Sequence, residues 1–199
     1  MYQADVLTNG KSNASIKTEH DSFLFPCVKP IYGKPITIVE ASGVNARDAD
    51  GVEYLDIFAG ILTTSIGHCH PEVTQRVSEQ AAKLGHTSTL YVTENQINVA
   101  RKMASIAPGK LQSCYFVNSG TEAVETAIML AQQYTGQQEI ITLRLAYSGR
   151  STLASNMTAH APWRPVTTAV PGIKQALSPY TFRSQFEGTE EELAEKFAN

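Results

Sequence analysis

The stretch Asn118-Ser119-Gly120-Thr121-Glu122-Ala123 stands between a short apolar run and a segment with helical periodicity. The run Ser113–Val117 is rich in β-prone residues and predicts a buried strand. From Ala123 to Ala131, small and apolar residues recur on one helical face, and Tyr134-Thr135-Gly136 ends the pattern. The sequence therefore predicts a strand that passes through a turn of small residues into a helix.

Two interpretations of this turn are open. Ser119 and Glu122 have the S-x-x-E spacing of a capping box, which caps a helix without any ligand. The first N–H groups of a helix also have no partner within the helix and carry a partial positive charge. A phosphate suits that position, and Gly120 would let it come close. The Ser119 hydroxyl can serve either purpose, so the spacing alone does not decide.

The composition excludes several classes of protein. The 199 residues are 42% hydrophobic, enough for a sizeable core. The net charge of -3 gives no reason to expect a nucleic acid or an anionic membrane as partner. The sequence contains no run of about 18 apolar residues, so no membrane-spanning helix is expected. The polar first twenty residues argue against a signal peptide.

The cysteines form an odd, scattered set without a C-x-x-C pair. They are Cys27, Cys69 and Cys114. This pattern is typical of reduced thiols rather than of a disulfide or zinc framework, and it predicts a cytoplasmic protein.

The first part of the chain predicts a small antiparallel unit. Residues 1–20 are polar and predict a loose start. Strands are expected at Ile36–Val39 and Tyr54–Ile57, with a turn at the Asp-Gly step of Asp48–Gly51.

Helices and strands then alternate. One helix is predicted to begin at Pro71 and another after the capping box of Thr93 and Gln96, and a further strand is expected at Glu139–Leu143. This alternation predicts an α/β fold with a mainly parallel sheet. A last capping box at Thr189 starts one more helix. About three strands are fewer than the five or six usual for a sheet, so we expect the first part of a longer fold.

Two further segments are candidate sites. Gly67-His68-Cys69-His70 resembles a metal cluster, but no second group of ligands follows, which favours a turn before the helix at Pro71. Tyr147 follows the carboxyl end of a predicted strand, where an aromatic ring could stack on a flat cofactor or could be an ordinary loop residue.

We assign no chemical role to two charged residues. Asp56 on a short strand is expected to be structural, and Lys174 is expected to be a solvated charge in a loop.

Four segments have the letters of a known set of motifs, in the same order. Asp50–Gly60 reads D-G-V-E-Y-L-D-I-F-A-G, Gly67–Pro71 reads G-H-C-H-P, Phe116–Ala123 reads F-V-N-S-G-T-E-A, and Ala146–Arg150 reads A-Y-S-G-R. They resemble the D-G-x-x-Y-L-D-x-x-x-G, G-H-x-H-P, F-x-N-S-G-T-E-A and Y-H-G motifs of class III (subgroup II) aminotransferases, which depend on pyridoxal phosphate (PLP). The resemblance runs from about Pro30 to the end, with Ser148 in place of the usual His.

The resemblance implies a cofactor site. Ser119, Gly120 and Thr121 would hold the phosphate of PLP, and Tyr147 would stack on its pyridine ring. The implied fold is the α/β PLP-dependent transferase fold type I, present in part. Residues 1–66 would belong to the small domain and residues 67–199 would form the first part of the PLP-binding large domain.

The resemblance also implies a reaction and an assembly. An amino group would pass from an amino acid or amine to a keto acid, in a homodimer whose active sites lie at the subunit interface. Parts of residues 61–95 would lie near that interface. Gly60–Gly67 with His86–Thr89 is most similar to the alanine–glyoxylate type. The GABA, acetylornithine and ω-amino acid enzymes share much of this pattern.

The resemblance places the family's Schiff-base lysine and its acidic partner on strands after residue 199. The lysines of this chain match none of that context, so we assign no catalytic residue and expect an N-terminal fragment that does not transaminate alone. The alternatives are a non-catalytic partner or regulatory subunit of a longer relative and a related PLP decarboxylase.

Overall fold

A computed structural model describes residues 10–26, 32–164 and 169–198 of the chain. Cys27, and Pro30 at the start of the resemblance, lie outside these residues. The chain divides into two compact units, Met1–Thr93 and Glu94–Asn199. The domain boundary that the sequence places after residue 66 stays a prediction.

The first unit opens with helix α1, Asn13–Phe23. The Ser12 hydroxyl caps it by accepting a hydrogen bond from the Ser15 N–H at 3.3 Å. The expectation of a loose start over residues 1–20 is therefore wrong for residues 13–20. This helix is polar and carries no apolar stripe, so the hydrophobic pattern used to recognise helices does not reveal it.

Three antiparallel strands follow α1, in the order β1 (Ile38–Ser42), β2 (Asn45–Asp48) and β3 (Glu53–Leu55). The predicted antiparallel unit is confirmed, although β2 was not predicted. Strand β1 begins two residues later than predicted, and β3 is one residue shorter than predicted. The turn between β2 and β3 contains Gly51 at φ 84°, as its Asp-Gly step predicts.

A left-handed helical turn at Ala59–Leu62 leads from the strands to helix α2, Pro71–Lys83. Gly60 and Ile61 both have left-handed φ and ψ angles. Before α2, the backbone of His68 pairs with that of Gly43 in an antiparallel bridge. Pro71 is the first residue of α2, as predicted.

The second unit alternates helices with a parallel pair of strands. Its elements are α3 (Glu94–Ile106), α4 (Gly120–Thr135), β4 (Ile140–Leu143), α5 (Thr152–Met157), a 3-10 turn (Ala161–Trp163), β5 (Ile173–Ala176) and α6 (Glu190–Ala198). Strands β4 and β5 are parallel, with Ile140 opposite Ile173. The predicted parallel arrangement is confirmed. Buried residues on α4, β4 and α5 form the interior of this unit: Ile128, Thr142, Ala154, Ser155 and Asn156.

Two local predictions in the second unit are wrong. Ser113–Val117 forms no β-ladder within the described residues, and the side chain of Tyr115 is 77% exposed. An apolar, β-prone run becomes a strand only where a neighbouring strand offers hydrogen bonds, and sequence periodicity cannot supply that neighbour. Lys174 lies in β5 rather than in a loop, because Ile173–Ala176 pairs with β4.

Among the described residues, no helix is both long and apolar enough to cross a membrane.

Candidate cofactor site

The amino end of α4 is capped by the side chain of Ser119. Its backbone is extended, and its hydroxyl accepts a hydrogen bond from the Glu122 N–H at 3.2 Å. The first intrahelical bond runs from the Ala123 N–H to the Ser119 carbonyl at 3.0 Å. The N–H groups of Gly120 and Thr121 therefore precede the first helical hydrogen bond, at the positive end of the helix.

In this capping box, the carboxylate of Glu122 does not hydrogen-bond to the capping residue itself. The Glu122 carboxylate accepts hydrogen bonds from the Asn118 backbone N–H at 2.7 Å and from the Asn118 side-chain amide at 3.2 Å. It thus reaches the residue before Ser119 rather than Ser119 itself. The cap interpretation of this turn is confirmed, and it leaves the next two amides of the helix available.

Gly120 has no conformational need to be glycine. It is helical, it has no positive φ, and a Cβ built on it would meet no heavy atom within 4 Å. Neither backbone strain nor crowding by the residues that the structure describes explains the missing side chain. Unpaired amides, a positive helix end and open space are the features that suit a phosphate, so the residues present fit the phosphate of PLP.

The loop that carries Tyr147 is in contact with the start of α4. Thr121 Oγ1 accepts a hydrogen bond from the Arg150 N–H at 3.3 Å. Gly149 has φ 129°, and a Cβ built on it would lie 2.5 Å from the same oxygen. The structure therefore brings the loop of Tyr147 against Thr121, two parts of the chain that the sequence analysis assigned to one site.

The ring of Tyr147 is half exposed and lies beside Trp163. Their centroids are 6.0 Å apart with an interplanar angle of 88°, and His160 lies 4.5 Å from Trp163. An exposed aromatic ring supported along its edge can offer a face to a flat ligand. Sequence reasoning missed Trp163 and His160, because neither belongs to a motif and the 3-10 turn that places them has no periodic pattern.

Beneath this loop lies the fully buried side chain of Thr158. Its hydroxyl accepts a hydrogen bond from the Ser148 N–H at 3.0 Å. On the neighbouring residue, the Met157 carbonyl accepts a hydrogen bond from Thr142 Oγ1 at 2.9 Å. The sequence gives no signal for these two hydroxyls either, since Thr is common at exposed positions.

The His-rich turn is tied to Asp56. His68 Nε2 and Asp56 Oδ2 are 2.6 Å apart, and the other carboxylate oxygen accepts hydrogen bonds from the Phe58 and Ala59 N–H groups at 2.9 Å. The hydrogen bond with His68, followed by those from the two amides, lowers the pKa of Asp56 below its ordinary value. Asp56 therefore organises the backbone around it, in agreement with a structural role.

No group of three or more potential metal ligands lies together within the described ranges. In Gly67-His68-Cys69-His70, His68 is engaged by Asp56 and by the backbone of Gly43. Cys69 and Cys114 are free thiols.

Several of the described lysines have an ion-pair or hydrogen-bond partner of their own. Lys174 Nζ lies 3.5 Å from Glu139 Oε1, at the amino end of β4, whereas Tyr147 follows the carboxyl end of that strand. Others bind partners near them in sequence: Lys11 with Glu19, Lys17 with Asp21, and Lys196 with the Glu187 carbonyl.

Comparison with known proteins identifies the family. The family model described as "Aminotransferase class-III" matches residues 29–199. This chain belongs to the class III aminotransferases. It is 35% identical over 185 residues to the mitochondrial alanine–glyoxylate aminotransferase 2 homolog 2 of Arabidopsis thaliana, which covers 93% of this chain. It is 42% identical over 131 residues to the acetylornithine aminotransferase of Methanopyrus kandleri, covering 66% of this chain.

Solved structures of transaminases have the same fold. An (S)-enantioselective omega-transaminase from Thermomicrobium roseum has a TM-score of 0.82 at 29% identity and covers 94% of this chain. A taurine:2-oxoglutarate aminotransferase from Bifidobacterium kashiwanohense, solved with PLP and glutamate, has a TM-score of 0.82 at 21% identity, which shows the fold alone. The predicted PLP-dependent transferase fold, present in part, is confirmed.

The chain spans less than half of these relatives. It covers 39% of the Arabidopsis protein, 33% of the Methanopyrus protein and 45% of the Thermomicrobium chain.

Proposed function

We propose that these 199 residues form the phosphate- and ring-binding part of a PLP-dependent aminotransferase. The observation that carries the proposal is Gly120, a helical glycine whose missing side chain is explained by no contact or strain among the described residues. A phosphate at the amino end of α4 supplies the reason.

Each residue of the site has a defined task in this proposal. The N–H groups of Gly120 and Thr121 and the hydroxyl of Ser119 donate to the phosphate oxygens. When Ser119 Oγ turns its proton outwards, it still accepts from Glu122, so the cap and the phosphate contact coexist. Tyr147 would stack on the pyridine ring, and Thr121 joins the phosphate part of the site to the Tyr147 loop through its hydrogen bond with the Arg150 N–H.

The proposed reaction moves an amino group from an amino acid or amine to a keto acid, as in the alanine–glyoxylate enzymes. Bound PLP supplies the electron sink for this chemistry. We place the protein in the cytoplasm, on the strength of its scattered cysteines. We further propose that it works as a homodimer with its active sites at the subunit interface.

The substitution Gly120→Ala tests the phosphate site. Alanine fits the helical backbone and meets open space, so the ligand-free chain should gain about 0.4–1 kcal/mol of unfolding free energy. The added methyl group keeps a phosphate from the amides, so PLP affinity should fall about tenfold or more, the effect of about 1.4 kcal/mol. Urea unfolding and equilibrium dialysis measure the two effects.

A matched control is Gly33→Ala. Gly33 also lacks a positive φ and has no described heavy atom within 4 Å of a built Cβ, but it belongs to the first unit, whereas the residues of the site belong to the second. This variant should leave PLP affinity unchanged. Pyridoxal without its phosphate should bind the wild-type chain and Gly120→Ala equally. Equal PLP affinity of Gly120→Ala and the wild-type chain would contradict the phosphate site.

We also propose that the Schiff-base lysine is not among these residues, so that the 199-residue chain does not transaminate. Four of the nine lysines have partners of their own, and none of the nine matches the sequence context of the family's lysine, which supports this. The purified chain is mixed with PLP, reduced with borohydride, digested and mapped. We expect only scattered, substoichiometric labelling of lysines. One stoichiometric phosphopyridoxyl-lysine, together with amino transfer to a keto acid, would overturn this part of the proposal.

A second candidate substrate is acetylornithine. The Methanopyrus relative of that name has the higher identity, 42% against 35%, although over a shorter part of this chain. Alanine with glyoxylate and acetylornithine with 2-oxoglutarate can be compared in a protein that joins these residues to a Schiff-base lysine. Faster turnover of acetylornithine would favour the second candidate.

A further inference from the structure

The loop of Tyr147 is held from below by a single buried hydroxyl. Thr158 Oγ1 accepts a hydrogen bond from the Ser148 N–H at 3.0 Å and donates to the Ala154 carbonyl at 3.0 Å. The Gly149 carbonyl is a second neighbour at 3.5 Å. Because Thr158 is 0% exposed, water cannot replace any of these contacts without opening the structure.

The same loop is held from the other side by Thr121. Its hydroxyl binds the N–H of Arg150, two residues after Ser148. The backbone is therefore attached to threonine hydroxyls at two points immediately after Tyr147. One of these threonines belongs to the helix of the phosphate site and the other to the interior of the second unit.

Thr158 is itself firmly placed. Its own N–H binds the Ala154 and Ser155 carbonyls at the end of α5. The preceding carbonyl, of Met157, accepts from Thr142 Oγ1 on β4. A β-branched side chain has restricted rotamers, so its hydroxyl is a rigid point of attachment. The position of the loop therefore depends on the positions of β4 and α5.

We propose that Thr158 is a positioning residue that sets the place of the Tyr147 ring over the PLP site through the backbone of Ser148. This inference rests on the proposed function for its ligand, but the position of the loop can be measured without any ligand. It also accounts for Ser148, where relatives with the Y-H-G motif have His. The hydrogen bond to Thr158 uses the backbone of residue 148, so the side chain there can change.

The ligand-free test uses Trp163, the single tryptophan of the chain, whose ring lies 6.0 Å from that of Tyr147. Thr158→Val keeps the shape of the side chain and removes its hydroxyl. We expect a shifted emission maximum and a changed acrylamide quenching constant for Trp163. Thr158→Ser restores the hydroxyl and should return both to the wild-type values.

The matched control is Thr142→Val. It also removes a buried threonine hydroxyl that binds backbone in the same unit, but that bond ends on Met157 and not on the loop. It should lower stability to a similar extent and change the Trp163 signal less than Thr158→Val does, because its bond acts on the loop only indirectly, through Met157 and Thr158. Ser148→Ala keeps the backbone N–H and should resemble the wild-type chain in every measurement.

PLP binding gives the second readout. Thr158→Val should weaken PLP binding about five- to tenfold, as expected for one lost hydrogen bond, while Thr142→Val should weaken it less and Ser148→Ala should leave it unchanged. If the wild-type chain does not bind PLP, the proposed function fails, and the Trp163 emission still decides the role of Thr158.

Two results would overturn the positioning role. One is a Trp163 signal of Thr158→Val that equals that of the wild-type chain. The other is a change that Thr142→Val produces equally. Should Thr158→Val not fold, Thr158→Cys takes its place in the same comparison, because a thiol of similar size accepts only weakly from an amide.

Discussion

Gly149 is the residue at which the Tyr147 loop comes nearest to helix α4. Its φ of 129° and the 2.5 Å separation of a built Cβ from Thr121 Oγ1 both exclude a side chain there. Gly149→Ala should therefore lower the unfolding free energy by about 1–3 kcal/mol and separate the loop from the helix. Urea unfolding measures the first effect, and Trp163 emission measures the second.

The substitution Gly136→Ala separates the two causes of the lost stability, which are the positive φ and the close approach to Thr121. Gly136 ends α4 at φ 70°, but a built Cβ meets no atom within 4 Å. Its replacement should cost only about 1 kcal/mol and leave Trp163 emission as it is. If both variants lose the same stability and neither alters the emission, the close approach of Gly149 to Thr121 is not a real constraint.

At the level of single residues, the sequence predicted what is local. Ser119 and Glu122 are three positions apart, and their spacing alone predicted the cap that the structure contains. Thr158 and Trp163 were not predicted, because their partners lie ten to sixteen positions away and depend on how α5 and β4 pack. The cofactor roles of Ser119, Gly120, Thr121 and Tyr147 stay predictions.

Helix α1 is attached to the three-stranded sheet by Asn13. Its side-chain amide donates to Asp48 Oδ2 at 2.8 Å and to Asp50 Oδ2 at 3.0 Å, and its side-chain oxygen accepts from the Thr37 N–H at 2.8 Å. Asn13 is 5% exposed. Helix α1 has few apolar residues, so these polar contacts are its principal attachment.

Asn13→Ala should release α1 from the sheet. The substitution leaves the Thr37 N–H and the buried Asp48 carboxylate short of partners, at a cost of about 1–3 kcal/mol. Faster amide hydrogen exchange over residues 13–23 measures the release. The control is Lys17→Ala, which removes an exposed ion pair of the same helix and should change little. Equal exchange rates in the two variants would contradict this role of Asn13.

The same network predicts a loss of stability in acid. Burial alone would raise the pKa of Asp48, but hydrogen bonds from Tyr54, Asn13 and two backbone amides outweigh it and lower the pKa. A carboxylate with a lowered pKa stabilises the folded state above its unfolded value, about 3.9, and loses that contribution as the pH falls below it.

Acid titration followed by circular dichroism checks this prediction. The unfolding free energy should be level near neutral pH and should decline below about pH 4. The unfolding free energy of Asp48→Asn should be lower at neutral pH. It should also decline less steeply in acid, because an amide at this position does not take up a proton. An identical acid profile of this variant and the wild-type chain would exclude Asp48 as a source of the decline.

At the level of elements, periodicity predicted the longer helices well. Helices α2, α3 and α4 have apolar or small residues on one face and clear end signals, and all three lie where expected. Strands β2 and β5 were missed because Arg47 and Asp48 in β2 and Lys174 in β5 interrupt the apolar run that predicted the equally short β4. The error at Ser113–Val117 has the opposite cause, because apolar character does not provide a pairing partner.

For the molecule as a whole, the described residues bury few large apolar side chains. The buried hydrophobic residues are Ala46, Ile128 and Ala154. Six of the described large apolar side chains are more than four-fifths exposed: Phe23, Phe25, Ile57, Leu90, Val92 and Tyr134. The exposed apolar surface is therefore large for a chain that is 42% hydrophobic.

This burial pattern predicts weak cooperativity for the isolated chain. The slope of unfolding free energy against urea scales with the surface that unfolding exposes, so it should lie at the low end of about 1–3 kcal/mol/M. The chain should also bind the dye ANS, which reports exposed apolar surface. A steep urea transition without ANS binding would show that these side chains are covered in solution.

The contacts around His68 have a practical consequence for engineering. Asp56 and Gly43 hold His68, so the segment 57–67 is fastened where it leaves the sheet and where it returns. Closing a longer loop between fixed ends costs little extra entropy. This segment should therefore tolerate replacement by segments of other length. Stretches of different length from other aminotransferases can be exchanged between Asp56 and His68 while the three strands beneath keep their register.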